Sequence, residues 1–302
     1  MKSRYNTARK ILIFWTLFIG VGAVGGATAM FVDPSGKTVG MAEMLPYFKA
    51  LPFADILFTD FVFSGCALLI VNGLTNITAA ILLIAKNKLG NILGCVFGVT
   101  LMLWICIQFY MFPINFMSTA YFVFGFLQAV TGYATVVFYK QERFTVDEAE
   151  YKHIGENPKK LVVYFSRMGY VKKIAYEEAD KLGAEIYEIK PKERTQGTLG
   201  FWWCGRYALH RWAMPIKEID IDLEKYESVT ICSAIWAFSL SAVTRAFCLT
   251  AKGKIKSADY ILVHHTNGIY EKAADEADEL LGIKRYSLRS VRCRTGKFKR
   301  II

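Results

Sequence analysis

Four uncharged apolar runs crowd the first 140 residues: Ile11–Val32, Phe61–Ala85, Leu89–Phe112 and Met117–Tyr139. Each exceeds the ~20 residues that a helix needs to cross the hydrocarbon core of a bilayer. No water is available there to pair with backbone groups, so such runs must be helices that satisfy their own N–H and C=O. The last three are joined by short turns, Lys86–Lys88 and Pro113–Phe116, which make successive helices antiparallel neighbours. A four-helix transmembrane bundle over residues 1–140 is the expected outcome. Most of the chain's 54% hydrophobic content falls in this half. Residues 141–160 are rich in Glu, Asp and Lys with little apolar periodicity and read as a solvated linker, and residues 161–302 form a second domain.

Basic residues orient the bundle. Lys2, Arg4, Arg9 and Lys10 precede the first run, Lys86 and Lys88 lie in the second turn, and Lys140 and Arg143 follow the last run. Lys37 and Lys49 lie on the other side, in a loop that also holds Asp33, Glu43, Asp55 and Asp60. The positive-inside rule then predicts a multi-pass protein of the cytoplasmic membrane, its partner the lipid bilayer, with both termini and the second domain in the cytoplasm. Ala27, Thr28 and Ala29 resemble a signal-peptide cleavage site, but the apolar run before them is longer than a usual signal core.

Within the bundle, Asn72 and Asn76 are four apart and share one helical face. They read as a polar site for a quinone or substrate, or as helix–helix hydrogen bonding, with Gln108 and Gln128 in the same polar layer. Gly22 and Gly26 have the spacing of a close-packing face. No histidine occurs before His153, which excludes a haem held by two histidines in the membrane.

The net charge of +11 accords with topology, and no RNA-binding or zinc-finger signature accompanies it, so nucleic acid is not an expected partner. The seven cysteines are scattered without a CxxC pair, which argues against a disulfide framework and against a metal site.

The second domain opens with LVVYFSRMGYVKKIA, Leu161–Ala175. Leu161–Phe165 reads as a buried parallel strand, Ser166–Tyr170 as a loop with one glycine, and a helical pattern starts at Val171. The first turn of such a helix offers free N–H groups and the positive end of its dipole to a phosphate or other anion. Further strands are expected at Glu185–Ile189, Val229–Ser233, Tyr260–His264 and Arg285–Leu288, with helices at Leu199–Trp212, Ala242–Ala251 and Glu271–Leu281. Strand–helix alternation implies a doubly wound α/β domain with a five-stranded parallel sheet in the order 2-1-3-4-5.

Three stretches, YFSRMGYVKKIA at 164–175, SAIWAFSLSAVTRAF at 233–247 and YILVHHTNG at 260–268, give this domain a resemblance to flavodoxin-like proteins. The resemblance implies FMN as cofactor. Ser166, Arg167, Gly169, Tyr170 and Val171 would surround its phosphate, Ile235, Trp236, Ala237 and Phe238 would line its ring, and Thr266, Asn267 and Gly268 would close the far side. Met168 and Val171 stand where the family usually has threonines, which removes two hydroxyl donors. Arg167 and Lys172 are candidates to replace them with charge-assisted contacts.

Read on the residues alone, Trp236 either stacks on a flat ring or caps the sheet core. His264 and His265 face opposite ways on a strand and cannot chelate one metal well. Phe201–Arg206 with His210, Arg211 and Trp212 reads as a lid, as an aromatic foot at the membrane interface, or as an amphipathic helix on the sheet. The basic tail, Arg289 to Arg300, reads as solvated or as resting on anionic lipid. The expected function is that of a membrane-tethered flavodoxin-like redox protein. It would pass electrons from an unidentified cytoplasmic donor to a membrane or quinone-like acceptor. The alternatives are a cofactor-free binding or regulatory module, and small-molecule transport or sensing by the four-helix domain.

Overall fold

The structure is a computed structural model and describes residues 3–38 and 40–302. Lys2, one of the N-terminal basic residues, lies outside them. Two compact units divide the chain, Met1–Tyr139 and Lys140–Ile302.

The first unit contains helices α1 (Arg4–Val32), α2 (Ala54–Leu57), α3 (Val62–Leu68), α4 (Thr75–Ile84), α5 (Lys88–Met111) and most of α6 (Phe116–Glu142). A π-helical stretch, Leu69–Leu74, joins α3 to α4, so Val62–Ile84 is one continuous span. Four helices are thus long and apolar enough to cross a membrane: α1, the α3–α4 span, α5 and α6. Their outward faces carry large apolar side chains such as Phe14, Ile81, Leu103 and Tyr133. Inward faces carry small and polar side chains beside Leu12, Ile19, Leu83, Leu101 and Ile105.

Close packing includes the expected Gly22 and Gly26, where a Cβ would lie 3.3 Å from Tyr121 OH and 3.1 Å from Leu68 Cδ2, but it is tightest at other glycines. A Cβ on Gly98 would lie 2.5 Å from Ala129 N, and one on Gly132 would lie 2.5 Å from Cys95 Cα. The backbones of α5 and α6 touch at these glycines. At Gly22 and Gly26 the neighbours are only the side chains of Tyr121 and Leu68. Among the amides, Gln128 Nε2 donates to Asn76 Oδ1 (2.8 Å) and to Gly94 O (2.9 Å), while Asn76 Nδ2 donates to Asn72 O (2.9 Å). Asn76 and Gln128 therefore take part in bundle-internal hydrogen bonding, whereas Asn72 lends only its backbone carbonyl and both polar atoms of its side chain are buried without a partner. Gln108 lies outside this group and accepts from Ser118 Oγ (3.0 Å).

In the second unit, strands β1 (Asn157–Tyr164), β2 (Ala184–Glu188), β3 (Ser228–Trp236), β5 (Ala258–His264) and β6 (Ser287–Arg294) run parallel in the spatial order β2-β1-β3-β5-β6. This is the expected five-stranded arrangement, but the sheet is mixed and has seven strands. The short β4 (Ser239–Leu240) folds back antiparallel on β3, and β7 (Lys297–Arg300) pairs antiparallel with β6 at the edge. The basic tail is therefore the outer hairpin of the sheet rather than a free segment, and its turn is Thr295–Gly296 at φ 49° and 87°. Arg289 is held there by Glu178 at 2.6 Å and Arg292 by Asn267 at 2.6 Å.

Alternation along β1 feeds two cores. Leu161, Val163 and Phe165 join one with α8 (Gly197–Leu209), α9 (Ala242–Thr250) and α10 (Glu271–Leu281). Val162 and Tyr164 join the other with α7 (Tyr170–Leu182). The linker residues are mostly exposed yet fastened along α7: Glu148 pairs with Lys172 and accepts from Tyr176 (2.9 Å), and His153 N donates to Asp180 (2.8 Å).

Candidate functional site

In an open parallel sheet, ligands bind beyond the carboxyl ends of the strands, where successive connections leave in opposite directions. Here that point lies between β1 and β3, because α7 covers one face of the sheet and α8 to α10 the other. The loops after β1, β3 and β5 meet this edge.

The first loop runs Ser166–Gly169. Gly169 has φ 84°, a left-handed conformation that only glycine adopts freely, and it starts α7 with no side-chain cap. No side chain of the chain itself therefore accepts a capping hydrogen bond at the positive end of the helix. Ser166 Oγ and Tyr170 OH are buried without a hydrogen-bond partner, and burial pushes the Tyr170 phenol up to about 12. Val171 is buried in the α7 core, so it offers this loop only its backbone. The two cations are committed elsewhere. Arg167 Nε donates to Thr195 O (2.7 Å) and its guanidinium lies over Phe201, while Lys172 pairs with Glu148 and holds that carboxyl below its usual range. Phe144, from the linker, packs edge-on against Tyr170, 4.7 Å between centroids, and lies 3.0 Å from where a Cβ on Gly169 would stand.

The second loop is a two-residue turn between β3 and β4. Ala237 and Phe238 adopt φ 45° and 63°. Type I′ hairpin turns require such angles and ordinarily use Asn or Gly, so these two side chains are held in a strained backbone. The turn thrusts Phe238 into solvent, 79% exposed, while Trp236 is half-buried and meets Phe165 edge-on at 6.0 Å. Ile235 packs against the core. The nearby serines, odd companions for a core tryptophan by sequence, have structural roles. Ser241 caps α9 through Thr244 N (3.2 Å), Ser233 Oγ donates to Thr244 Oγ1 (3.0 Å), and Ser239 Oγ donates to Trp236 O (3.1 Å).

The third loop is pinned from beneath by His264. A carbonyl only accepts, so His264 Nδ1 carries the proton toward Thr266 O (3.1 Å) and Nε2 accepts from Ser290 Oγ (2.6 Å). Burial lowers the His264 pKa and keeps the ring neutral. His265, just beyond the end of β5, is exposed. Thr266 Oγ1 meets Tyr270 OH at 2.8 Å and accepts from Gly268 N at 3.3 Å. Tyr270, at φ 65°, is likewise a non-glycine residue in the left-handed region.

A cleft of about 700 Å³ opens between Phe238 and Asn267–Ala273. It brings together Phe238, Asn267 and Gly268 of the expected residues; the first-loop residues line a separate stretch of the same edge. Sequence reasoning missed Phe144, Tyr270 and Ser290. Only Tyr270 carried a signal, an aromatic two residues beyond the Thr-Asn-Gly stretch. Among the described residues no cluster of His, Cys, Asp or Glu could hold a metal.

No family model matches the chain, and neither does any curated protein. Solved structures resemble its second half. A flavoprotein in complex with FMN from Lactobacillus acidophilus is 20% identical, covering 44% of this chain and 93% of its own, at a TM-score of 0.39. Candidate flavoproteins from Bacteroides eggerthii and Bacteroides uniformis are each 19% identical, covering 44% and 46% of this chain and 88% and 94% of theirs, both at a TM-score of 0.40. With its strand order and crossover pattern, the domain from β1 to β7 is flavodoxin-like.

Proposed function

We propose that the second domain binds FMN at the edge formed by the three loops, and that the chain is a membrane-tethered redox protein. The observation that carries this reading is the uncapped start of α7 beside the buried, unpartnered Ser166 hydroxyl, at the switch point of a sheet wound in the flavodoxin order. The residues fit the group. The first-turn N–H groups of α7 and Ser166 Oγ would hold the phosphate, doing the work of the absent threonines with no help from Arg167 or Lys172. Trp236, Ala237 and Phe238 on one side and Thr266, Asn267 and Gly268 on the other would bound the ring. Held between rigid loops, an aromatic such as Phe238 can stack on a flat ring and exclude water from one of its faces.

Bound FMN supplies the one- and two-electron chemistry. The chain's own residues bind, orient and shield it. Strain at Ala237, Phe238 and Tyr270 favours a functional over a merely structural edge, since such backbone is retained where the surrounding fold imposes it. The distribution of Lys and Arg favours a bundle with both termini in the cytoplasm. The donor would then be cytoplasmic and the acceptor a membrane or quinone-like molecule.

The test is the visible spectrum of the purified full chain before and after adding FMN. Oxidised-flavin bands that bleach with reductant are expected, and Trp236→Ala or Phe238→Ala should shift them. Colourless protein that ignores millimolar FMN would sink the proposal and leave a flavodoxin fold serving as a binding module.

A further inference from the structure

Helix α8 packs with the opposite polarity from an ordinary surface helix. Its buried positions are Gly200, Cys204 and Ala208, four apart, so the smallest side chains face the sheet. A Cβ on Gly200 would collide with the backbone of Thr195, which fixes that close approach. The large apolar side chains point outward: Leu199 and Trp202 are each 68% exposed and Leu209 74%, with Phe201, Trp203 and Trp212 also exposed. Most of the exposed large apolar residues of this unit are on α8 or just after it.

The aromatic side chains among them cluster rather than stand as scattered spots. The rings of Phe201 and Trp202 are 5.6 Å apart, Trp203 and Tyr207 5.9 Å, and Tyr207 and Trp212 6.0 Å. The Arg206 guanidinium lies over both Trp203 and Trp212, at 5.5 and 5.7 Å, and His210 stacks on Trp212 at 4.4 Å. In sequence, Lys190, Lys192, Arg194, Arg206, Arg211 and Lys217 lie within and beside this segment. Glu193 is the one acidic residue between 190 and 217, and it is occupied by Trp203 Nε1 and Tyr207 OH, which hold its carboxyl below the usual range.

We infer that α8 is a membrane foot, a helix that lies in the headgroup layer of an anionic bilayer with Leu199, Trp202 and Leu209 entering the acyl boundary. Three observations select lipid over a protein partner. Tryptophan and arginine together are the side chains that the interface favours, each with an apolar body and a polar end. Residues 190–217 carry six Lys or Arg and one acidic residue, itself occupied by Trp203 and Tyr207, a charge that matches an anionic surface rather than one mixed protein epitope. The same chain carries four helices long enough to span a bilayer, so a membrane surface is always at hand. Because Arg167 and Phe201 are in contact, docking at α8 also touches the loop that follows β1. The inference does not depend on FMN: it concerns a helix outside the proposed ring site, and its test reads lipid contact alone.

The test uses the full chain with Cys66 and Cys106, the exposed thiols, replaced by Ala. An environment-sensitive fluorophore is placed at Leu209→Cys and, for comparison, at Tyr286→Cys, and the protein is inserted into phosphatidylcholine vesicles containing about a third phosphatidylglycerol. The expected result at position 209 is a blue-shifted emission, quenched several-fold by lipids with a nitroxide near the headgroup. In pure phosphatidylcholine or high salt the shift should shrink, and in Arg206→Gln/Arg211→Gln it should largely vanish with the circular dichroism unchanged. Emission at 209 as water-like as at 286 overturns the inference. So does a blue shift that lipid nitroxides leave unquenched, the result for a protein partner or a second copy of the chain.

Discussion

At the scale of single residues, two buried groups decide how the site behaves. Ser166 Oγ is buried without a partner, and an orphaned hydroxyl is costly unless something meets it. If it meets a phosphate, Ser166→Ala removes a hydrogen bond to a charged group worth about 1.5–3 kcal/mol. The FMN dissociation constant should rise by roughly 10- to 150-fold, measured by fluorescence titration, with the melting temperature of the flavin-free protein unchanged or raised. His264 makes a prediction about pH. Its folded pKa is lowered by burial, so the unfolded chain binds the extra proton first. Stability is complete above the ordinary value of 6.5 and is lost as pH falls toward the folded value. His153 works in the opposite sense, since Glu156 raises its pKa, but it is exposed. Denaturant unfolding of the full chain and of His264→Gln at pH 7.5 and 5.5 isolates the buried ring: the variant should lose less stability on acidification than the parent.

At the scale of elements, the sequence made most strands and helices legible because each carries a period that one buried face enforces. Glu271–Leu281 was legible to the residue, and β1, β2, β3 and β5 were found within a few residues at either end. The edge hairpin was hidden by its charges. Arg289 falls on the strand face of Val291 and Cys293 and Arg292 and Arg294 on that of Ser290, so neither face reads as apolar, and the Thr295–Gly296 turn was the one available sign. The docking of the linker carried no periodic signal at all, because Phe144, Glu148 and Tyr151 reach α7 as isolated contacts. In the bundle, Gly22 and Gly26 advertised the familiar spacing, yet the backbone contact runs through Gly98, Gly125 and Gly132, which single-sequence spacing does not distinguish. That difference is testable. Gly98→Ala places a methyl 2.5 Å from Ala129 N and 2.8 Å from Gly125 O, so α5 and α6 must part. A loss of about 1–3 kcal/mol is expected in reversible unfolding in detergent. Gly25→Ala, whose Cβ meets nothing within 4 Å, should be neutral or stabilising.

At the scale of the whole molecule, the candidate site and the four-helix half are joined in sequence through a segment of about 15 residues that carries both spacing and contact. Phe144 lies two residues beyond the end of α6 and packs on Tyr170, against Gly169 and against Phe298. Farther along, Tyr151 packs on Tyr176, and Glu148 ties to both Lys172 and Tyr176. The first loop, the element with the uncapped helix start, is therefore buttressed by residues that belong to neither the sheet nor the bundle. A chain beginning at Lys140 keeps the buttress, and one beginning at Asn157 removes it while leaving every strand intact. Both should be soluble with the same far-ultraviolet circular dichroism, because the two sheet cores lie almost wholly after residue 157. The shorter chain should melt at a lower temperature, having lost a buried aromatic contact and the α7 tie. Its amide hydrogens at Ser166–Lys172 should exchange faster, while those of β3 and β5 keep their protection. Equal exchange at the first loop in both chains would show that the linker only spans a distance and has no part in holding the site.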